Sequence, residues 1–266
     1  ATMLHQTLSH IEALDETIMA QAKQRIDQLI KPQGSLGILE AFAVKLAGIQ
    51  KTTMPKRQKK AIVVMCADHG VCEENIASAP QIVTWMQSKN IARGITGVGA
   101  LAHLTGTKIY TVDIAVNTHE CDELVLSKKI AFGSNNISKG PAMTRDNAIK
   151  SLELGIEMAY HAIDQGADLL GIGEMGIGNT TPTTAMLCAF TGLSPEEITG
   201  VGANLPLDRV PHKAKVIQQA LLTNKPLAND PIDVLAKVGG YDIGGMAGVI
   251  IGSAARKKPV VIDGYI

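Results

Sequence analysis

The chain has 266 residues, 25 basic and 25 acidic, for a formal net charge of zero. That length fits one large domain, or a domain with a small appendage, and the charge balance argues against a generic nucleic-acid or membrane-surface binder. Apolar residues at 45% supply a sizeable core, charged residues at 19% are too few for intrinsic disorder, and aromatics at 3% nearly exclude nucleic-acid recognition by stacking.

Residues 1–31 are polar, with Leu14, Ile18, Ala22, Ile26 and Leu29 recurring at helical spacing. Ser9-His10-Ile11-Glu12 has the form of a capping box, and Asp15 is a second candidate cap. Lys31-Pro-Gln-Gly-Ser-Leu-Gly37 breaks the pattern, and a second helix is predicted around Ile38 to Ile49. A basic connector with Pro55 follows over 51–60. We read 1–60 as a small helical subdomain and 61–266 as the main domain.

From Ala61 the pattern changes. Short apolar runs at 61–66, 108–112, 167–172 and 258–262 alternate with helical patterns such as Asp146 to Asp164 and Asp208 to Leu222. Buried strands alternating with helices predict an α/β fold, a parallel sheet with helices on both faces. Each run is followed by a carboxylate: Asp68, Asp113, Glu174 and Asp263. The strand ends of a parallel sheet share one edge, so four carboxylates there predict a polar active-site edge rather than four separate helix caps.

The four cysteines, Cys66, Cys72, Cys121 and Cys188, form no CxxC and no disulfide-like framework, which fits reduced thiols. The N-terminus has no apolar run fit for a signal peptide, and the glycine-rich stretch 243–255 is shorter than a bilayer span. A soluble, cytoplasmic protein without membrane or nucleic-acid partners is expected. Cys66, His69 and Cys72 lack a fourth ligand at metal-site spacing, so no metal is assigned, and Asp68-His69 reads as substrate-facing or turn-forming.

The strongest local signal is Gly171-Ile-Gly-Glu-Met-Gly-Ile-Gly-Asn-Thr-Thr181, between a strand and a helical stretch. Its glycines let backbone N–H groups approach an anion, and Asn179, Thr180 and Thr181 add donors at a helix N-terminus. A dinucleotide reading fails because no second strand ending in an acidic residue follows at the required distance. Glu174 suits a phosphate cradle only if it faces a cationic or proton-bearing substrate atom. In a second cluster, Gly239 to Gly245 could begin another anion-binding helix, whereas Gly248 and Gly252 read as close helix packing.

Lys31 to Gly37, Ala67-Asp-His-Gly-Val71, Ser78-Ala-Pro-Gln-Ile-Val-Thr84 and Gly173 to Thr181 occur in that order. Together they resemble the nicotinate-nucleotide–dimethylbenzimidazole phosphoribosyltransferases, over essentially the whole chain from Lys31 to Asp263. The resemblance implies a Rossmann-like sheet with a small helical domain, a homodimer, no cofactor, and transfer of phosphoribose from nicotinate mononucleotide to 5,6-dimethylbenzimidazole. The leaving pyridinium is already cationic, so it needs no metal and no protonation. Carboxylates can stabilise the ribosyl cation, and a general base must take the benzimidazole proton. The implied roles are as follows: Glu174 at the reacting atoms; Gly173, Met175, Gly176, Ile177, Gly178, Asn179, Thr180, Thr181, Gly244, Asp263 and Gly264 on the nucleotide; Lys213, with Lys215 as rival, on its phosphate. Asp68, His69, Ser78, Pro80, Gln81, Val83, Met86 and Gln87 would form the base slot, with Lys31, Pro32, Gly34 and Ser35 as a loop.

The resemblance also implies a further segment after Val261-Ile-Asp-Gly264 that carries the main catalytic base, and no residue here matches its motif. The expectation is a chain that binds ligand and turns over poorly, with Glu174 and then Asp263 as substitute bases. A partner-dependent or non-catalytic relative, and an unrelated nucleotide-binding α/β protein, are the competing readings.

Overall fold

A computed structural model describes residues 1–56 and 59–266. The basic connector expected over 51–60 therefore lies partly outside the described residues. Eleven α-helices are found among the described residues: α1 (Met3–Ser9), α2 (Glu16–Asp27), α3 (Ile38–Gln50), α4 (Val83–Ala92), α5 (Gly97–Thr105), α6 (Arg145–Asp164), α7 (Thr180–Thr191), α8 (Pro195–Ile198), α9 (Val210–Asn224), α10 (Pro231–Val238) and α11 (Tyr241–Ala255). The strands are β1 (Lys60–Ala67), β2 (Lys108–Ala115), β3 (Leu126–Ser127), β4 (Leu169–Met175) and β5 (Val260–Val261).

All strand pairs are parallel and the order is β3-β2-β1-β4-β5. Parallel ladders need both faces covered. On one face α6 and α11 lie over β1, and the core there includes Val63, Met65, Ile114, Ile156 and Val249. On the other, α4 brings Trp85 and Ile91 against Val64 and Cys66. Each such fully buried aliphatic side chain contributes roughly 1.5–3 kcal/mol from burial. The α6–α11 contact is close enough to require glycine: a Cβ on Gly248 would lie 2.0 Å from the Leu152 carbonyl oxygen. The packing reading of Gly248 and Gly252 therefore holds.

Of the two expected N-terminal caps, the Ser9 box does not form and the Asp15 cap does. Ser9 ends α1, which Thr2 caps, while Asp15 caps α2 by accepting from the Ile18 N–H at 3.0 Å. Within 1–60, α2 and α3 pack on each other, whereas α1 packs on α6 and α11 and places Leu4 in the main core. No described helix is long and apolar enough to cross a membrane.

Chain order sets the position of the site. From β1 the connections run outward to β2 and β3, then return to β4 on the other side. The β1/β4 boundary is thus a switch point, where crossovers diverge and leave a crevice beyond the strand C-termini. The register pairs Met65 with Glu174 and Cys66 with Met175, so Asp68-His69 and Gly176 to Thr180 both emerge at this crevice.

Candidate active site

β4 runs three residues past its apolar run and carries Glu174 to the crevice. The chain then turns through Gly176, Ile177 and Gly178, the last at φ +82°, and enters α7 at Thr180. The turn is tied to α4 by the Ile177 N–H, which donates to Thr84 Oγ1 at 3.0 Å. Gly176 is glycine for an internal reason: its Cβ would lie 2.5 Å from the Ala67 carbonyl oxygen and 2.9 Å from Asp242 Oδ2. Close approach of a ligand is therefore not needed to explain it.

A cleft of about 300 Å³ opens above this turn. Glu174, Met175, Gly176, Ile177, Gly178, Asn179 and Thr180 line it, with Ser78 from the loop before α4 and Val201 to Ala203 from the loop before α9. The Ser78 hydroxyl donates to the Ala203 carbonyl and joins the two loops. Below lies Lys213, 1% exposed. Its Nζ donates to Thr180 Oγ1 at 2.7 Å and to the Gly200 carbonyl at 2.9 Å. Both partners are neutral, so burial pushes the ammonium pKa down to about 8. Lys215, the rival, is exposed. A buried cation with neutral partners, beside the positive end of a helix, is arranged to receive an anion.

Glu174 belongs to a buried polar chain. Asn179 Nδ2 donates to Glu174 Oε2 at 2.5 Å and to Asp242 Oδ2 at 3.1 Å. His69 Nε2 lies 3.1 Å from the same Asp242 oxygen, with both side chains almost wholly inaccessible. Burial, then the Asp242 carboxylate, holds Glu174 above the usual carboxylate range, while the Asn179 amide and His69 oppose the rise. For His69, burial opposes the charged ring, but Asp242 chiefly, with Asp68 and Glu174, outweighs it and raises the imidazole. Burial also raises Asp68.

The other expected residues divide. Pro80 and Gln81 line a second cleft on the far side of the same loop, with Asn117, Phe132 and Ser134. Asp68 and His69 are buried at 2% and 1% exposure and turn inward rather than toward a base. Asp68 accepts from the Asn117 N–H at 2.7 Å. Val83, Met86 and Gln87 lie on α4 and line neither cleft. Gly173 and Asp263 line a groove over the β1/β4 face that Glu174 also reaches. Thr181 is buried and its hydroxyl has no partner among the described residues, and Gly264 is an exposed turn at φ +90°. Gly244 is turned away from any ligand, since its Cβ would lie 2.0 Å from Ser151 Oγ on α6. Lys31, Pro32, Gly34 and Ser35 form the α2–α3 connection, where Lys31 pairs with Glu40 at 2.6 Å, and none lines either cleft. Asp113 is engaged by Lys129 at 2.8 Å and caps the Val116 N–H, so the strand-end carboxylates do not act as one set.

Sequence reasoning gave no role to Asp242 or the Val201–Ala203 loop. Asp242 sits two residues after the Gly239-Gly240 pair. A Cβ on Gly240 would lie 2.4 Å from the His69 ring, so those glycines signalled a buried side chain rather than an anion.

A family model described as phosphoribosyltransferase matches residues 11–266. A nicotinate-nucleotide–dimethylbenzimidazole phosphoribosyltransferase of Alkaliphilus metalliredigens is 52% identical over 264 residues, 99% of this chain and 76% of that one. One from Clostridioides difficile is 44% identical over all of this chain and 76% of its own length. A solved structure of the like-named enzyme from Thermus thermophilus superposes with a TM-score of 0.88 at 36% identity, covering 95% of this chain and 75% of that one. The α/β fold with its five-stranded parallel sheet thus agrees with the solved structure, and the chain belongs to this phosphoribosyltransferase family.

Proposed function

We propose that this chain transfers the phosphoribosyl group of nicotinate mononucleotide to 5,6-dimethylbenzimidazole, releasing nicotinate and forming α-ribazole 5′-phosphate for cobalamin biosynthesis. One observation supports the reading beyond family membership: the buried Lys213 ammonium, held by the neutral oxygens of Thr180 and Gly200, lies beside Thr180 at a cleft that Glu174 also lines. A phosphomonoester seated on Lys213 and the α7 N-terminus gains charge-assisted hydrogen bonds. Its ribose then extends toward Glu174. As the bond to the pyridinium lengthens, C1′ becomes cationic, and the Glu174 carboxylate stabilises it. The raised Glu174 pKa also suits a group that accepts the benzimidazole N–H proton near neutral pH. Attack from the face opposite the departing nicotinate inverts β to α. The flat base enters past Ser78 and the Pro80–Gln81 side of the loop.

Exposed Leu36, Ile38, Leu39 and Phe42 around the start of α3 support a homodimer, since a clustered apolar surface marks a contact face. Four free cysteines support a cytoplasmic setting. Incubation with nicotinate mononucleotide and a panel of bases, followed by chromatography, tests the activity. Equimolar nicotinate and base riboside phosphate are expected; a folded chain that yields no nicotinate above the protein-free rate overturns the reading.

A further inference from the structure

We infer that His69 and Asp242 are positioning residues: their buried pair orients the Asn179 amide, and Asn179 fixes the Glu174 carboxylate at the cleft. The inference rests on Glu174 being the carboxylate at the reacting atoms.

One amide nitrogen serves two carboxylates, Glu174 Oε2 at 2.5 Å and Asp242 Oδ2 at 3.1 Å. An amide flip would put a carbonyl oxygen against both, so Asp242 sets the orientation from which Asn179 holds Glu174. Asp242 is held in turn. Its Oδ1 accepts from the Ile243 N–H at 3.0 Å and its Oδ2 faces His69 Nε2 at 3.1 Å. Backbone passes close to the His69 ring on two sides, where a Cβ on Gly240 would lie 2.4 Å from Cε1 and one on Gly176 3.0 Å from Nε2. Contacts thus run from the Ile243 N–H and His69 through Asp242 and Asn179 to the Glu174 oxygen.

A stability role alone does not account for this set. Buried ion pairs are often no better than apolar residues of the same volume, and His69 Nδ1 finds no hydrogen-bond partner among the described residues. Such a cost concentrated behind a cleft-lining carboxylate marks a functional constraint. The charged groups facing the pair are Asp68 at the end of β1 and Glu174 on β4, with the neutral Asn179 from α7. Within the set, Asp242 raises Glu174 and His69 lowers it.

These opposite signs give the test. His69→Gln and Asp242→Asn are assayed across pH with nicotinate mononucleotide and dimethylbenzimidazole. Both should lower kcat by about tenfold to a hundredfold, the scale of a misplaced reacting group, and leave KM for the nucleotide unchanged. The acid limb of the kcat profile should move up in pH in His69→Gln and down in Asp242→Asn. Limbs that stay in place, or a loss confined to KM or to melting temperature, would overturn the inference. A second measurement covers variants that fail to fold and does not need turnover. In Glu174→Gln, the His69 imidazole followed by NMR should titrate at lower pH, because one facing carboxylate is gone; an unmoved titration rejects the coupling. If the unsubstituted chain releases no nicotinate, the functional reading fails, and the NMR titration still decides whether the pair senses Glu174.

Discussion

Replacing Lys213 by Met removes the buried ammonium and keeps most of its volume. In the unliganded chain the cost of that ammonium is visible in its pKa, lowered from 10.5 to about 8, a difference of roughly 3 kcal/mol against the charged form. Methionine removes this cost but gives up the bonds to Thr180 Oγ1 and the Gly200 carbonyl, about 1 kcal/mol each. The variant should therefore fold with slightly higher stability, about 1 kcal/mol or 2–4 °C. Binding should suffer. A hydrogen bond to a charged group contributes about 1.5–3 kcal/mol, so affinity for nicotinate mononucleotide should fall about ten- to 150-fold. The sign with pH is also fixed. A lysine whose folded pKa lies below its unfolded value binds fewer protons when folded, so stability rises as pH climbs from about 8 toward 10.5. A phosphate reverses this by favouring the ammonium, so binding at pH 8 should take up about half a proton per site. Calorimetric titration at pH 8, in two buffers of different ionisation enthalpy, reads affinity and proton uptake together. Equal affinity in a folded Lys213→Met chain, or no uptake by the unsubstituted one, would refute the phosphate assignment.

Glu174→Gln should lower the transfer rate by about tenfold or more and raise stability above the raised carboxylate pKa, where the buried charge beside Asp242 is otherwise present; rate assays and melting curves at pH 5 and 8 separate the two effects. Ser78→Ala breaks the link to the Ala203 carbonyl and should weaken nucleotide binding a few-fold by loosening the loop over the cleft, at about 1 kcal/mol, as calorimetry would show. Gly248→Ala places a Cβ 2.0 Å from the Leu152 carbonyl oxygen and should cost about 1–3 kcal/mol in chemical denaturation, with nucleotide affinity per folded molecule unchanged.

The parallel sheet was legible because its strands are continuous apolar runs bounded by glycine and carboxylates, and the α6 and α9 patterns are strongly amphipathic. β3 escaped because Leu126-Ser127 is too short to leave a pattern. The Glu174-to-Thr180 turn was legible because glycines and hydroxyls coincide at a strand–helix junction. What the pattern cannot give is direction. His69 and Asp68 stand at a strand end in sequence, yet their side chains turn into the protein, and only the fold brings Asp242 across 173 positions to meet His69. Gly244 shows the same limit, since an anion-binding glycine and a helix-packing glycine are identical in sequence and differ only in what lies opposite.

A crystal structure with nicotinate mononucleotide bound tests the central claim most directly. The account predicts the phosphate within about 3 Å of Lys213 Nζ, against the start of α7, with ribose C1′ turned toward Glu174. A nucleotide seated instead in the groove over the β1/β4 face, or beside Lys59, Lys60 and Lys108 at the opposite sheet edge, would contradict it.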